Sequence, residues 1–175
     1  QSLLQLTEAG YLLHANRSAE AQRRIERALD LAPQQWLAHA TQALWHFAVR
    51  DNSAGIAALR RSAELGTTSS RPQALLGLHL ARLGQADEAH RQLELLLARH
   101  GQRYVPGTSL AAVQAALGDR EAALASLERA QAERDCRLIF LTGDPAWRSL
   151  RDEPRLVTLI DRLGLKGRAP GLSTA

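Results

Sequence analysis

The chain has 175 residues and a formal net charge of +4, with apolar residues at 45% and aromatic residues at only 4%. It is long enough to bury a sizeable core, and its single cysteine, Cys136, excludes an intrachain disulfide and a structural zinc site built from cysteines. Basic and acidic residues are interspersed, seven Arg against six acids in residues 1–65, so the charge pattern gives no reason to predict nucleic-acid binding.

Eight helices are predicted in chain order, because Ala- and Leu-rich segments alternate with residues that begin or end helices. Pro72 and Pro106 are expected in the first turn of their helices, where the missing N–H of proline costs nothing. Asp119 is expected to cap the N-terminus of the last of these helices. The predicted helices cover residues 2–15, 18–31, 36–49, 53–65, 71–83, 86–99, 105–117 and 120–133.

A period of 34 residues relates these helices to one another. In every period, a small residue of the second helix is followed four positions later by a large apolar residue. The position between the two helices holds Gly84 and Gly118 in two cases, with Asn16 and Arg50 as substitutes in the others. Such a period indicates one two-helix unit used four times, because each unit leaves an apolar face that the next must cover. The small-residue column is Ala21, Gly55, Ala89 and Ala123, and the large-residue column is Ile25, Leu59, Leu93 and Leu127.

In these columns the sequence resembles the tetratricopeptide repeat family. That family's helix–turn–helix unit, of the same length, has a Leu-Gly pair, a turn glycine, an alanine and then a large apolar residue. The third repeat matches it at Leu76-Gly77, Gly84, Ala89 and Leu93, and Pro33 matches the family's terminal proline. The resemblance implies an all-α, right-handed solenoid of four repeats, at approximately residues 2–35, 36–69, 70–103 and 104–135. At the position where the family usually has tyrosine, the four repeats of this chain have Leu12, His46, Leu80 and Gln114.

After residue 134 the period stops. Asp144-Pro145 and Glu153-Pro154 predict the starts of two short helices, at about residues 145–150 and 154–163, because proline suits a first helical turn. Gly164 is expected to end the second of them. We expect residues 136–165 to cap the last repeat and residues 166–175 to form a flexible tail. The apolar stripe of the second short helix is Leu156, Leu159, Ile160 and Leu163.

Roughly the last 60 residues also resemble a tail common in bacterial multidomain proteins. In such proteins, tetratricopeptide repeats follow a winged-helix DNA-binding domain, a serine/threonine kinase domain or a nucleotide cyclase domain. The resemblance implies the sensory or partner-binding arm of a bacterial regulator. The chain contains no methionine, and we expect it to be a piece of a longer polypeptide. The resemblance rests on Leu117-Gly118-Asp119, Glu133-Arg134-Asp135, Asp144-Pro145, Pro154-Arg155 and Leu163-Gly164-Leu165.

The first helices of tetratricopeptide repeats line a concave surface, which the resemblance makes mainly apolar in this chain. Leu6 and Gly10 stand where chaperone-binding members of the family hold a terminal carboxylate with Lys and Asn, so such a clamp is not expected. Arg71 and Arg82 are expected to anchor an acidic group beside the apolar floor. The predicted contact residues are Leu6, Leu13, Leu37, Leu44, Phe47, Arg71, Leu78, Arg82, Val105 and Thr108.

No arrangement of residues predicts an enzyme. The six histidines form no H-E-x-x-H motif, and the chain has neither a G-x-S-x-G turn nor a glycine-rich phosphate loop. His46 falls in a core column of the repeat and is expected to be structural, and Cys136 is expected to be inert. We therefore predict no catalytic residues, no cofactor and no metal site.

Two functional hypotheses follow from the sequence. The first is a scaffold whose groove binds another protein or peptide, as an amphipathic helix or an extended apolar segment. The second is a self-associating module, with the groove filled by its own chain or by a second copy in a homodimer. No apolar run approaches the roughly 18–20 residues of a membrane helix, so membrane insertion is not expected. The expected location is the cytoplasm, or the periplasm if upstream sequence holds a transmembrane helix.

Overall fold

The computed structural model describes residues 1–165, and all regular structure in that part of the chain is helical. The predicted all-α class is therefore confirmed. The tail predicted for residues 166–175 lies outside the described residues. In order, the helices are α1 (Ser2–His14), α2 (Ser18–Leu31), α3 (Trp36–Ala48), α4 (Asn52–Leu65), α5 (Arg71–Arg82), α6 (Ala86–His100), α7 (Gly107–Leu117), α8 (Arg120–Ala132), the 3₁₀ helices η1 (Cys136–Phe140) and η2 (Pro145–Leu150), and α9 (Pro154–Arg162).

The helix boundaries agree with the predicted ones to within two residues. The largest difference is at α7, which begins at Gly107 because the extended ψ of 132° at Pro106 makes that proline the N-cap. Pro72 lies in the first turn of α5, as expected. The short helix η1 is not predicted from the sequence, because it has neither a proline start nor a helical stripe long enough to recognise.

The turn inside each helix pair has the same backbone conformation in all four cases. Asn16, Arg50, Gly84 and Gly118 have φ between 56° and 87°, which is the left-handed region. The backbone N–H of the residue after each donates to the carbonyl five residues earlier, at N···O distances of 2.8–3.0 Å. These bonds satisfy carbonyls that the helix end would otherwise leave unpaired. The predicted turn column is therefore confirmed, and Asn16 and Arg50 adopt it without glycine's freedom.

The chain divides into two compact units, Gln1–His79 and Leu80–Ala175, and the division falls within α5. In the first unit, α1 packs on α2 and α3 packs on α4, while α3 also contacts α1 and α2. Ala9 of α1 and Ala21 and Ala28 of α2 are fully buried. These small side chains let neighbouring helices approach closely, as the repeat columns predict.

Gly55 sets the spacing of the α3–α4 pair. A Cβ atom at this position would lie 2.5 Å from the Phe47 ring, so the ring occupies the space that a side chain would need. Farther along α4, the buried Ser62 hydroxyl donates to the carbonyl oxygen of Trp36 at 2.8 Å. The carboxylate of Asp51 caps α4 by accepting from the backbone N–H of Ala54 at 3.0 Å.

In the second unit, α7 packs on α8 and also contacts α6. Gly107 lies so close to α8 that an added Cβ would collide with the carbonyl oxygen of Ser126. Ala111 and Ala123 are fully buried in the core of this unit. Asp119 caps α8 as predicted, because its carboxylate accepts from the backbone N–H of Ala122 at 3.0 Å.

Residues 136–165 pack against this last helix pair. Both η1 and α9 contact α8, and η2 contacts α7. Trp147 and Leu150 from η2 and Leu156 and Leu159 from α9 enter the same buried cluster as the inner side chains of α7 and α8. Helix α9 ends at Arg162, and Gly164, which is predicted to stop it, follows two residues later with a φ of 66°.

Ion pairs join α9 and the residue before it to α8. The guanidinium of Arg155 donates to Glu128 at 2.8 Å and to Glu121 at 2.6 Å, and Arg120 donates to Glu153 at 2.7 Å. The hydrogen bonds to Glu128 and Glu121 raise the pKa of Arg155. In the same way, the hydrogen bond from Arg155 lowers the pKa of Glu128. Glu128 therefore stays charged, and able to pair with Arg155, to a lower pH than an unpaired glutamate would.

Candidate functional site

The first helices of the first unit, α1 and α3, contact each other and carry several of the predicted contact residues. On α3, Leu44 is 41% exposed, which makes it available to a partner. Leu13 and Leu37 are half-buried. Leu6 is only 5% exposed and belongs to a buried cluster with Ala28. Leu6 is therefore a packing residue rather than a contact residue, because α2 and α3 cover its side of α1.

Helix α1 also exposes three large apolar side chains. Leu3, Leu4 and Tyr11 are 59%, 60% and 74% exposed. Leu4 and Tyr11 are separated by two helical turns and therefore lie on one side of the helix. Neither of these two is among the predicted contact residues. Their exposure identifies α1 as a surface that another apolar segment could cover.

Tyr11 belongs to a repeat column whose members in the next two repeats are covered by the preceding helix pair. Trp45 donates its indole N–H to the carbonyl oxygen of Ser18 in α2, at 2.9 Å. The His79 ring stacks on Phe47 in α3. Tyr11 itself is 74% exposed, so no residue in the range 1–165 covers it in the same way. The column, at steps of 34 residues, reads Tyr11, Trp45, His79 and Val113.

Phe47 is used within the first unit. Its ring lies parallel to that of His79, with an interplanar angle of 2° and ring centroids 4.1 Å apart. The ring also fills the space beside Gly55. These contacts hold the ring in place, and because Phe47 is only half-buried, its contact with a partner stays a prediction.

Helix α5 carries three of the predicted contact residues, Arg71, Leu78 and Arg82. Arg71 is exposed, and its side chain forms no ion pair or hydrogen bond with another residue in the range 1–165. Leu78 is 7% exposed and belongs to the core rather than to a contact surface. Partial removal of water from the guanidinium lowers the pKa of Arg82, although the charge of Asp144 acts in the opposite direction. Arg71 and Arg82 thus remain the polar candidates.

The two predicted contact residues nearest the start of α7 are buried. Val105 is 0% exposed and Thr108 is 3% exposed, so neither is available to a partner. The carboxylate of Asp135 accepts from the Thr108 hydroxyl at 2.6 Å and from its backbone N–H at 3.1 Å. Thr108 therefore anchors the start of α7, and the sequence gives no signal for the buried carboxylate that it binds.

The described residues contain little that could support chemistry. Nowhere in residues 1–165 do three or more His, Cys, Asp or Glu side chains come together in a way that could hold a metal ion. The half-buried His46 meets the Trp45 ring edge-on, at 4.8 Å between centroids, and its Nδ1 lies 3.7 Å from Asp51. That distance is too long for a hydrogen bond. None of the helices in this range has both the length and the apolar character needed to cross a bilayer.

Comparison with known proteins adds no relative. No model of a known protein family matches the chain, and none of the curated proteins matches it. The likeness to tetratricopeptide repeats therefore rests on the residue columns of the sequence.

Proposed function

We propose that the chain is a right-handed solenoid of tetratricopeptide repeats that binds another protein or peptide. Its support is the agreement between sequence and backbone periods. Left-handed residues recur at Asn16, Arg50, Gly84 and Gly118, and in each case they separate helices of similar length. Further support is that the two helices contact each other within the pairs α1–α2, α3–α4 and α7–α8.

The main observation in favour of a binding role is that α1 and α3 expose large apolar side chains. Leu3 on α1 and Leu44 on α3 are 59% and 41% exposed, on helices that contact each other. Burying the exposed part of one leucine in a partner would contribute on the order of 1 kcal/mol. A partner that covers several such side chains gains enough to bind, and an amphipathic helix or extended apolar segment has the matching character. The half-buried Leu13 and Leu37 and the exposed Arg71 complete the proposed surface.

Selection of displayed peptides on the whole chain tests this proposal. Peptides recovered on the wild type are expected to bind the Leu44→Asp variant about tenfold or more weakly, because a carboxylate in an apolar contact costs over about 1.4 kcal/mol. Leu97→Asp is the matched control, since Leu97 is 45% exposed but lies on α6. The melting curves of both variants should stay close to that of the wild type. Peptides that bind Leu44→Asp as tightly as the wild type would refute the proposed surface.

A second candidate function is self-association through α1. It is favoured by Leu4 and Tyr11, which are exposed on one side of α1, whereas Trp45 and His79, which follow Tyr11 at steps of 34 residues, are in contact with the preceding helix pair. Sedimentation equilibrium over about a hundredfold range of concentration is expected to show a dimer that dissociates on dilution. A double variant, Leu4→Asp with Tyr11→Asp, should be monomeric throughout. A wild-type monomer at every concentration would rule this candidate out.

We further propose that the chain serves as the non-catalytic arm of a larger bacterial regulator in the cytoplasm. The support is the likeness of residues 117–165 to the tails of such proteins. A periplasmic location is the alternative and requires a transmembrane helix upstream. The upstream reading frame is the direct test, since a winged helix would indicate transcriptional control and a kinase domain would indicate signalling. This segment itself is proposed not to bind nucleic acid.

A further inference from the structure

An open cleft of about 470 Å³ lies beside α2 in the first unit. Three of its five lining residues are arginines, Arg23, Arg24 and Arg27, and they share the cleft with Gln5 and Glu20. All three arginines are exposed. The cleft therefore has an excess of positive charge, although charges over the whole N-terminal third of the chain are nearly balanced.

The acidic residues around the cleft are already paired. Glu20 accepts two hydrogen bonds from Arg17, both at 2.6 Å. Arg24 lies 3.0 Å from Glu8 and donates to the side-chain oxygen of Gln5 at 3.2 Å. Arg23 and Arg27 are different, since neither forms an ion pair or hydrogen bond with any other residue in the described range. Two guanidinium groups thus point into solvent with all their donors available.

Arg23 and Arg27 are placed so that their positive electrostatic potentials add. Arg23 and Arg27 are one helical turn apart, so their like charges lie on the same side of α2 and repel each other. The charge of Arg23 also reaches Glu20, whose pKa is lowered first by the hydrogen bond from Arg17 and then by nearby positive charges that include Arg23. A bound anion would remove the repulsion and supply the missing acceptors.

We propose that this cleft binds an acidic peptide segment, a run of Asp or Glu side chains in another protein. The guanidinium fork matches a carboxylate with two parallel hydrogen bonds, so Arg23 and Arg27 are each suited to hold one carboxylate. Neighbouring side chains of one peptide can supply both. None of the lining residues is aromatic, so the cleft has no platform on which a nucleic-acid base could stack. The proposal does not depend on the apolar surface of α1 and α3.

A fluorescein-labelled hexaglutamate peptide is a direct probe, with binding to the whole chain measured by fluorescence anisotropy. The wild type is expected to bind it at about 50 mM NaCl and to bind several-fold more weakly at about 300 mM, because salt screens exposed charges. The double variant Arg23→Gln with Arg27→Gln is expected to lose about tenfold or more in affinity. Circular dichroism should show unchanged helix content, since both side chains are exposed.

The matched control is the double variant Arg91→Gln with Arg151→Gln. It removes the same charge from two exposed arginines of the second unit, so it should keep the wild-type affinity. Leu44→Asp should also bind hexaglutamate normally, which separates this cleft from the apolar surface. The proposal is overturned if hexaglutamate does not bind at low salt, or if the control loses as much affinity as the site variant. It is equally overturned if a labelled dodecamer of thymidylate binds more tightly and loses its affinity in the site variant.

Discussion

Helices α1 and α7 are the first helices of the predicted first and fourth repeats, yet their surroundings differ. Two of the thirteen residues of α1 are buried, Leu6 and Ala9, whereas eight of the eleven residues of α7 are buried. Helix α7 is in contact with α6, α8 and η2, whereas α1 is in contact with α2 and α3. Similar apolar helices thus become core or surface according to the neighbours that the rest of the chain supplies.

Two aromatic substitutions provide the largest expected contrast between these regions. Trp147→Ala removes a ring that is 4% exposed and packed in the core with α7 and α8, so it should lower the free energy of unfolding by about 3–5 kcal/mol. Tyr11→Ala removes a ring that is 74% exposed and should change the free energy of unfolding by less than about 0.5 kcal/mol. Urea unfolding followed by circular dichroism measures both. Equal losses would contradict the assignment of α1 as surface.

A second contrast lies within α8. Ala123→Leu adds three carbons where the side chain is fully buried against α7, and it should cost about 1–3 kcal/mol in the free energy of unfolding. Ala125→Leu makes the same change two residues along the helix, at an exposed position, and should be close to neutral. The same urea titration compares the two. If Ala125→Leu proved the more damaging, the face of α8 that packs on α7 would be wrongly assigned.

The smallest expected effect concerns the attachment of α9. Arg155→Gln removes the partner of Glu121 and Glu128, so the variant should melt slightly below the wild type at pH 7. Because pairing lowers the pKa of Glu128, this stabilisation is complete above the ordinary glutamate pKa, about 4.3, and is lost as the pH falls through the lowered value. The melting temperatures of the wild type and of Arg155→Gln should therefore converge as the pH is lowered from 7 to 2. A difference that persists at the lowest pH would show that Arg155 acts by packing alone.

Most of the fold could be predicted because local signals and the period agree. Helix ends follow from proline, N-cap aspartate and left-handed residues, which act through their own backbone. Arg50 shows the value of the period: its residue type alone does not predict φ of 66°, but its alignment with Gly84 and Gly118 does. The segment η1 was missed because a single short 3₁₀ helix has neither kind of signal.

The contact residues were harder to predict, because exposure depends on distant parts of the chain. The sequence places Val105 and Thr108 on a first helix, but it does not show that Asp135 binds Thr108 or that Val105 is sealed in the core. Nothing local in the sequence indicates that the Phe47 ring stacks on His79. The local positive charge of Arg23 and Arg27 was not recognised, because the net charge of a long segment counts paired and unpaired arginines in the same way.

The packing of residues 136–165 on α7 and α8 has a consequence for assembly. A repeat array with both terminal faces open can join head to tail without limit, as fibres do. Residues 136–165 pack on α7 and α8, the helix pair on which a further repeat would stack if the proposed solenoid is correct. If copies associate through α1, each must therefore offer the same face to the other, and the symmetry of that contact closes the assembly at two.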